Sequence, residues 1–295
     1  MTETVEHLEP QPQARAWRRF ARNRSAHVGA VVVGAMVLMA LLAGVLAPYG
    51  PETPASRFDA SLRPVSPPSR EHWLGTDGYN YDVLTRVMYG ARLSLAAGLV
   101  SITLAVVIGA TAGALSGYFG GWLDATIMRT IDVALAFPSI LIALLVAMAL
   151  QPGWIAVMIA VGLINVPAFA RQVRATVLTV RSTEYVLAAR AMGASPWHIL
   201  RTAVLPAIVN PVVVLGTLGL GSAILEVAGL AFLGIAGDPT EAEWGSMLAK
   251  AKDHISASIW PALGPGVAIS LTVLGFNLLG DGLRDALDPR MEGGK

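Results

Sequence analysis

The chain contains no cysteine. Disulfides, thiolate metal sites, iron–sulfur clusters and cysteine nucleophiles are therefore excluded. Charge is scarce too: 14% of the 295 residues are Asp, Glu, Lys or Arg, against about 25% in soluble globular domains. The only lysines are Lys250, Lys252 and Lys295, and none sits in a G-x-x-x-x-G-K-[ST] phosphate cradle. The chain carries no P-loop. Its histidines, His7, His27, His72, His198 and His254, all fall outside the middle of the long apolar runs. That argues against an intramembrane metalloprotease or a histidine proton relay. No Ser/His pair lies inside those runs, so an enzyme is not expected. A net charge of +1 gives no pull toward nucleic acid.

Apolar residues are abundant: 54% of the chain, with a mean hydropathy of +0.59. An uncharged run of roughly 17–25 residues crosses a hydrocarbon layer of ~30 Å. Six such runs occur, at 28–47, 93–117, 133–150, 154–170, 205–225 (continuing toward Leu233) and 255–280. The part of the last run before Pro261 is expected to be loop or surface helix. Gln151, Pro152 and Gly153 alone part the third run from the fourth, which predicts a tight turn between antiparallel helices. The first run is too long, and its basic flank too far in, for a cleavable signal, so a retained helix is expected.

Lys and Arg favour the cytoplasmic side of a membrane. With the N-terminus inside, that side receives Arg15, Arg18, Arg19, Arg22, Arg24, Arg129, Arg171, Arg174, Arg181, Arg190, Arg201, Arg284, Arg290 and Lys295. The remaining basic residues lie outside, diluted by acids such as Glu52, Asp59, Asp77, Asp82, Asp238, Glu241 and Glu243. The reading is an all-α integral protein of six spans in the inner or plasma membrane, both termini cytoplasmic. It divides into a tail at 1–27, a first span at 28–47 and an extracytoplasmic loop at 48–90. A core of five spans at 91–283 and a tail at 284–295 follow. Residues 1–14 have the composition of a disordered segment. The proline-rich outer loop is a candidate contact for another protein.

Within the second run, Gly109, Gly113 and Gly117 recur every fourth residue and line one helical face. This permits close helix packing, with pore lining as the alternative. Glu226, about 30 Å along a helix from Pro206, falls near the outer face. It is expected to make a gating or structural contact with a partner subunit, or to line a substrate route. Asn277, Asp281, Arg284 and Asp285 share one face of the last helix end and read as a cytoplasmic brace.

Residues 182–206 differ from their surroundings. Thr183 is placed to cap a short helix, with Glu184 near its positive end. Val186, Leu187 and Met192 give apolar surface, while Ala188 and Ala189 keep one face flat. Gly193 suits a left-handed helix stop. Ser195 and Pro196 then suit the start of a second helix, and Pro206 is expected to break or kink the entry to the fifth span. The alternative, a connector lying among headgroups, fits poorly because the segment is not strongly basic.

The series Glu184, Ala188, Ala189, Gly193, Leu205, Pro206 resembles the EAA loop of ABC importer permeases, E-A-A-x-x-x-G-x(9)-I-x-L-P. Two departures stand out: Glu184 lies four residues before the alanine pair, and Ala203, not Ile199, holds the isoleucine place. HWLGTDGYNYDVLTRVMYGARLSL (72–95) resembles the dipeptide, oligopeptide and nickel permeases, with Asn80, Tyr81 and Asp82 where that family shows G-R-D. ILEVAGLAFLGIAG (224–237), WGSML (244–248) and LTVLGFNLLGDGLRDALDPR (271–290) extend the likeness to the C-type permease of that class.

The resemblance implies a type I importer architecture: a homologous second permease, two ATPase subunits, an extracytoplasmic substrate-binding protein, and surrounding lipid. ATP and Mg would be held by the ATPases, and this chain would hold no cofactor or metal. Glu184, Ala188, Ala189, Gly193, Ser195, Pro196, Leu205 and Pro206 would form the ATPase coupling loop. The cargo implied is peptide, with nickel, glutathione or heme as alternatives. An ion-coupled secondary transporter would want mid-span ionisable residues and a repeat with broken helices. Glu226 stands alone and no repeat is seen.

Overall fold

In the computed structural model, residues 20–21, 23–57, 64–236, 238 and 240–287 are described. Residues 1–14, together with Arg15, Arg18, Arg19, Arg22, Asp59, Arg290 and Lys295, lie outside the described residues. The regular structure is helical, apart from two isolated bridges, Pro54 to Tyr81 and Thr76 to Asp82. The helices are α1 (Arg24–Leu46), α2 (Val83–Phe119), α3 (Gly121–Leu135), α4 (Ser139–Ala149), α5 (Trp154–Arg181), α6 (Glu184–Ala191), α7 (Pro196–Ile199), α8 (Leu205–Phe232), α9 (Trp244–Ala251) and α10 (Trp260–Leu287).

Several helices outrun the apolar stretches that announced them, because polar residues cap or extend them. Asp82 Oδ2 accepts from the Thr85 N–H at 2.7 Å and starts α2 ten residues before its apolar run. Asn23 Oδ1 does the same for α1 through the Ala26 N–H. Such caps satisfy donors that the first helical turn leaves free. Outward faces are apolar: on α1, Val31, Leu41 and Val45 are all exposed, as lipid contact requires.

The third expected span is not one straight helix. α3 and α4 meet at 97°. Pro138 has no N–H and disfavours a helical Phe137, so α3 stops at Leu135. Five helical stretches among the described residues are long and apolar enough to cross a membrane, or six if this bent pair is one span. Pro206 does not break its helix. A π-turn at Leu200–Val204, in which the Leu205 N–H reaches back to Leu200 O, joins α7 to α8 in one helical run.

α2 and α5 share the most extensive contact of any helix pair among the described residues. A Cβ on Gly109 would lie 2.6 Å from Phe169 Cβ, and on Gly117 2.9 Å from Val177 Cβ. On Gly113 it would stand only 2.4 Å from Ala170 O. Backbone thus faces backbone along this seam. α8 lies across both helices, with Ala223, Val227, Leu230 and Ala231 buried against Ile102, Ala105, Val157 and Phe169. α10 sits on α8 and takes α1 on its other side.

Gly113→Val drives a side chain into backbone that cannot yield, which costs about 1–3 kcal/mol. The expected outcome is a thermal midpoint in detergent lowered by several degrees. At Gly216 the nearest atom to a Cβ is 3.9 Å away, so Gly216→Ala is expected to hold or raise that midpoint.

Candidate functional site

The segment between α5 and α8 folds as a compact elbow. Thr183 stands at the N-cap of α6, but its hydroxyl does not cap. It donates back to Val180 O at 2.6 Å, the local bond that Thr offers in competition with capping. The Val186 and Leu187 N–H groups are taken instead by the Thr183 carbonyl. Glu184 occupies the first turn, where the helix dipole favours an acid.

α6 ends in a Schellman motif. The Ala194 N–H reaches Ala189 O at 3.0 Å and the Gly193 N–H reaches Arg190 O at 3.0 Å. Gly193 has φ +84°, with open space around it. A left-handed φ suits glycine because a Cβ there would crowd the backbone. Two residues on, Ser195 Oγ accepts from the His198 N–H at 3.2 Å, and Pro196 fills the first position of α7.

The underside of the elbow is sealed. Val186, Ile199 and Val204 are each 2% exposed or less, packed with Tyr118, Val173, Val177 and Ile208. Polar ties add to this. Arg181 Nη1 donates to Gly117 O at 2.9 Å and Tyr118 O at 3.3 Å, satisfying carbonyls that the end of α2 leaves free. Arg190 lies over the Tyr118 ring, 5.3 Å from its centre. Just above, Arg174 grips Asp124 of α3 with two bonds, at 2.6 and 2.7 Å, and Ser116 also donates to Asp124.

The outer side of the elbow is apolar and bare. Met192 is 82% exposed and Trp197 72%, and Tyr185 and Leu187 are exposed beside them. Glu184, Ala188 and Gly193 are exposed and Ala189 is half-buried. Glu184, Ala188, Ala189, Gly193, Ser195 and Pro196 therefore belong to one protruding body. Leu205 and Pro206, also exposed, begin the helix that carries it into the bundle. Clustered exposed apolar side chains mark an interaction surface.

Glu226 lies elsewhere, within α8. It accepts from Asn165 Nδ2 of α5 at 2.7 Å, and the same amide nitrogen donates to Val161 O at 2.9 Å. The brace expected at the end of α10 is looser. Asp285 accepts from Asn23 at 3.1 Å, and Asp281, Arg284 and Asp285 form no ion pair among the described residues.

At the opposite end lies a buried polar clasp that sequence reading did not single out. His72 Nδ1 meets Asp82 Oδ1 at 2.9 Å, and Arg86, 2% exposed, donates to the carbonyls of Thr240 and Glu241. Arg86 Nε also lies 3.4 Å from Asp77. Glu243 is fully buried and accepts from Ser94 Oγ at 3.0 Å and the Ser246 N–H at 2.8 Å. Burial pushes the carboxyls of Glu243 and Asp77 above the usual carboxylate range, although hydrogen bonds oppose it in both. The density of Asp, Tyr and Arg at 77–86, in a chain where charge is scarce, was the available signal. Among the described residues no cluster of His, Asp and Glu could hold a metal ion.

Comparison with known proteins adds the following. Residues 105–293 match the family model described as binding-protein-dependent transport system inner membrane component. Residues 12–64 match the N-terminal transmembrane domain of oligopeptide transport permease C. The chain is 41% identical over 283 residues to the dipeptide transport system permease protein of Alkalihalophilus pseudofirmus, covering 95% of this chain and 91% of that one. It is 42% identical over 281 residues to the glutathione transport system permease protein of Pectobacterium atrosepticum, covering 95% and 92%. The corresponding Escherichia coli protein is 43% identical over 277 residues, covering 94% and 90%.

Ser195→Ala removes the cap of α7 at a cost of about 1 kcal/mol. Amide exchange at His198 and Ile199 is expected to quicken roughly fivefold, with exchange across the α2–α5 seam unchanged.

Proposed function

The chain belongs to the family of binding-protein-dependent transport system inner membrane components, and on that premise we propose that it is one of two permeases of an ATP-driven importer of dipeptides, longer peptides or glutathione. The second permease completes the route, and an extracytoplasmic binding protein delivers the cargo. Two ATPase subunits bind ATP and Mg on the cytoplasmic side. The α3–α4 pair serves as one bent span, giving six, with both termini in the cytoplasm.

The observation that carries this reading is the elbow. It presents a bare apolar tip on a rigid turn, and its other side is fastened to α2, α5 and α8. An ATPase gripping that tip would move the helices behind it. Binding shifts a two-state body only through contacts that differ between the states, and ATP-driven closure of the ATPases supplies that difference at Gly193 and its flanks.

Gly193→Asp places a side chain and a charge on a left-handed residue at the tip. The expected outcome is normal membrane insertion, retained ATP hydrolysis by the ATPases, and uptake reduced at least tenfold. A bulky charged residue at Ala189 is expected to do the same, and wild-type uptake in either variant would refute the coupling role. Purification of the native assembly gives a second test: two ATPase chains should accompany this one. Gradient-driven uptake by this chain alone would instead support a secondary transporter.

A further inference from the structure

We propose that Glu226 and Asn165 form a subsite on the translocation route for the amino-terminal ammonium of the carried peptide. This rests on the importer reading above and names the chemical group that this part of the route recognises.

A carboxylate within a spanning helix is expensive unless something charged or hydrogen-bonding meets it. Glu226 sits about 9 Å short of the end of α8 at Phe232, by helical rise. It has no ion-pair partner among the described residues. Among the described residues its one side-chain bond is the 2.7 Å contact from Asn165, made to Oε2. Asn165 spends its other recorded donation on Val161 O. Glu226 Oε1 and Asn165 Oδ1 accept nothing from the described residues, and neither is among the enclosed polar atoms that lack a partner. Both residues are partly exposed. The arrangement is two reachable acceptor oxygens, one of them anionic, with no donor opposite.

The complement of such a pair is a compact cation with several N–H groups. A peptide α-ammonium has three donors and a full charge, and charge-assisted bonds of that kind are the strong ones. Dipeptides and glutathione alike carry this group. Approach from outside is open along the same face of α8. Gly229, one turn above Glu226, has nothing within 4 Å of where a Cβ would stand. Leu233, one turn further, lines a cavity of about 310 Å³ at the outer end of the helix. Lys250, Lys252 and Asp253 also line that cavity; the lysines are held over rings, Lys250 above Tyr79 and Lys252 above Phe232, and neither pairs with Glu226.

The test uses the assembled transporter in proteoliposomes: this chain, the second permease, the ATPases and the binding protein. Uptake of alanyl-alanine is compared with that of lactoyl-alanine, in which a hydroxyl replaces the ammonium. The ratio is divided by the binding protein's own affinity ratio for the two. In the wild type an excess preference of at least tenfold for the ammonium peptide is expected, and Glu226→Gln should abolish most of it. No excess in the wild type overturns the proposal. So does an unchanged ratio in Glu226→Gln, or an equal loss of both substrates, which would mark a structural contact or a pairing with the second permease. If Glu226→Gln does not assemble, Glu226→Asp, which withdraws the carboxylate by one methylene, is expected to cut the excess at least threefold, and an unchanged ratio there overturns the proposal. Failure of the wild-type assembly to take up any of alanyl-alanine, trialanine and glutathione refutes the importer reading itself.

Discussion

Where α2 meets α5, main chain presses on main chain, and this contact sets the register of everything at the elbow end. Lipid is as apolar as the helix surfaces, so burial alone gives little reason for two spans to hold together. Close approach does, because dispersion contacts multiply when side chains are absent from the seam. Gly109, Gly113 and Gly117 leave that space, and Phe169, Ala170 and Val177 fill it. A slip of one helical turn would displace α5 by about 5.4 Å. Arg174 would then miss Asp124, and Arg181 would miss the last carbonyls of α2.

The polar ties are therefore consequences of the seam as well as supports for it. They lie where α2 and α5 end and α3 begins, and the elbow grows from the same place. Its buried residues, Val186, Ile199 and Val204, join the core that contains Val173 and Val177. Its bare residues, Met192 and Trp197, lie on the far side of the same short turn. One small body thus carries an anchored face and an unpartnered one, the arrangement needed to pass a displacement inward.

Much of this was legible in the sequence for physical reasons. Uncharged runs located the spans because length and apolarity are what a bilayer selects. The glycine spacing pointed to a packed face, and Gly193, Ser195 and Pro196 marked the elbow because each is suited to one backbone role. Besides the buried clasp around Arg86 and the unbroken helix at Pro206, three features were not read. The 133–150 run looked continuous because hydropathy ignores Pro138, although a proline followed by serine was visible there. Thr183 has two bonds open to its hydroxyl, and only the fold decides between Val180 and the α6 donors. The partner of Glu226 was hidden because Asn165 comes from another helix, 61 positions earlier. The importer assignment rested on resemblance in the elbow and the C-terminal stretch, and the family match and permease relatives agree with it.

The short helix α9 has a consequence for how motion passes through the subunit. Trp244 Nε1 donates to Val87 O of α2 at 3.0 Å, and Gly245 lies so close to α8 that a Cβ would come within 2.6 Å of Ala228 Cα. The far ends of α2 and α8 are thus riveted through α9, just as their near ends are joined around the elbow. Fixed at both ends, the helices have no internal plane along which to shear. Under the importer mechanism proposed above, torque applied at the tip would swing the molecule as a single lever, and sliding would be left to its borders with the second permease and lipid.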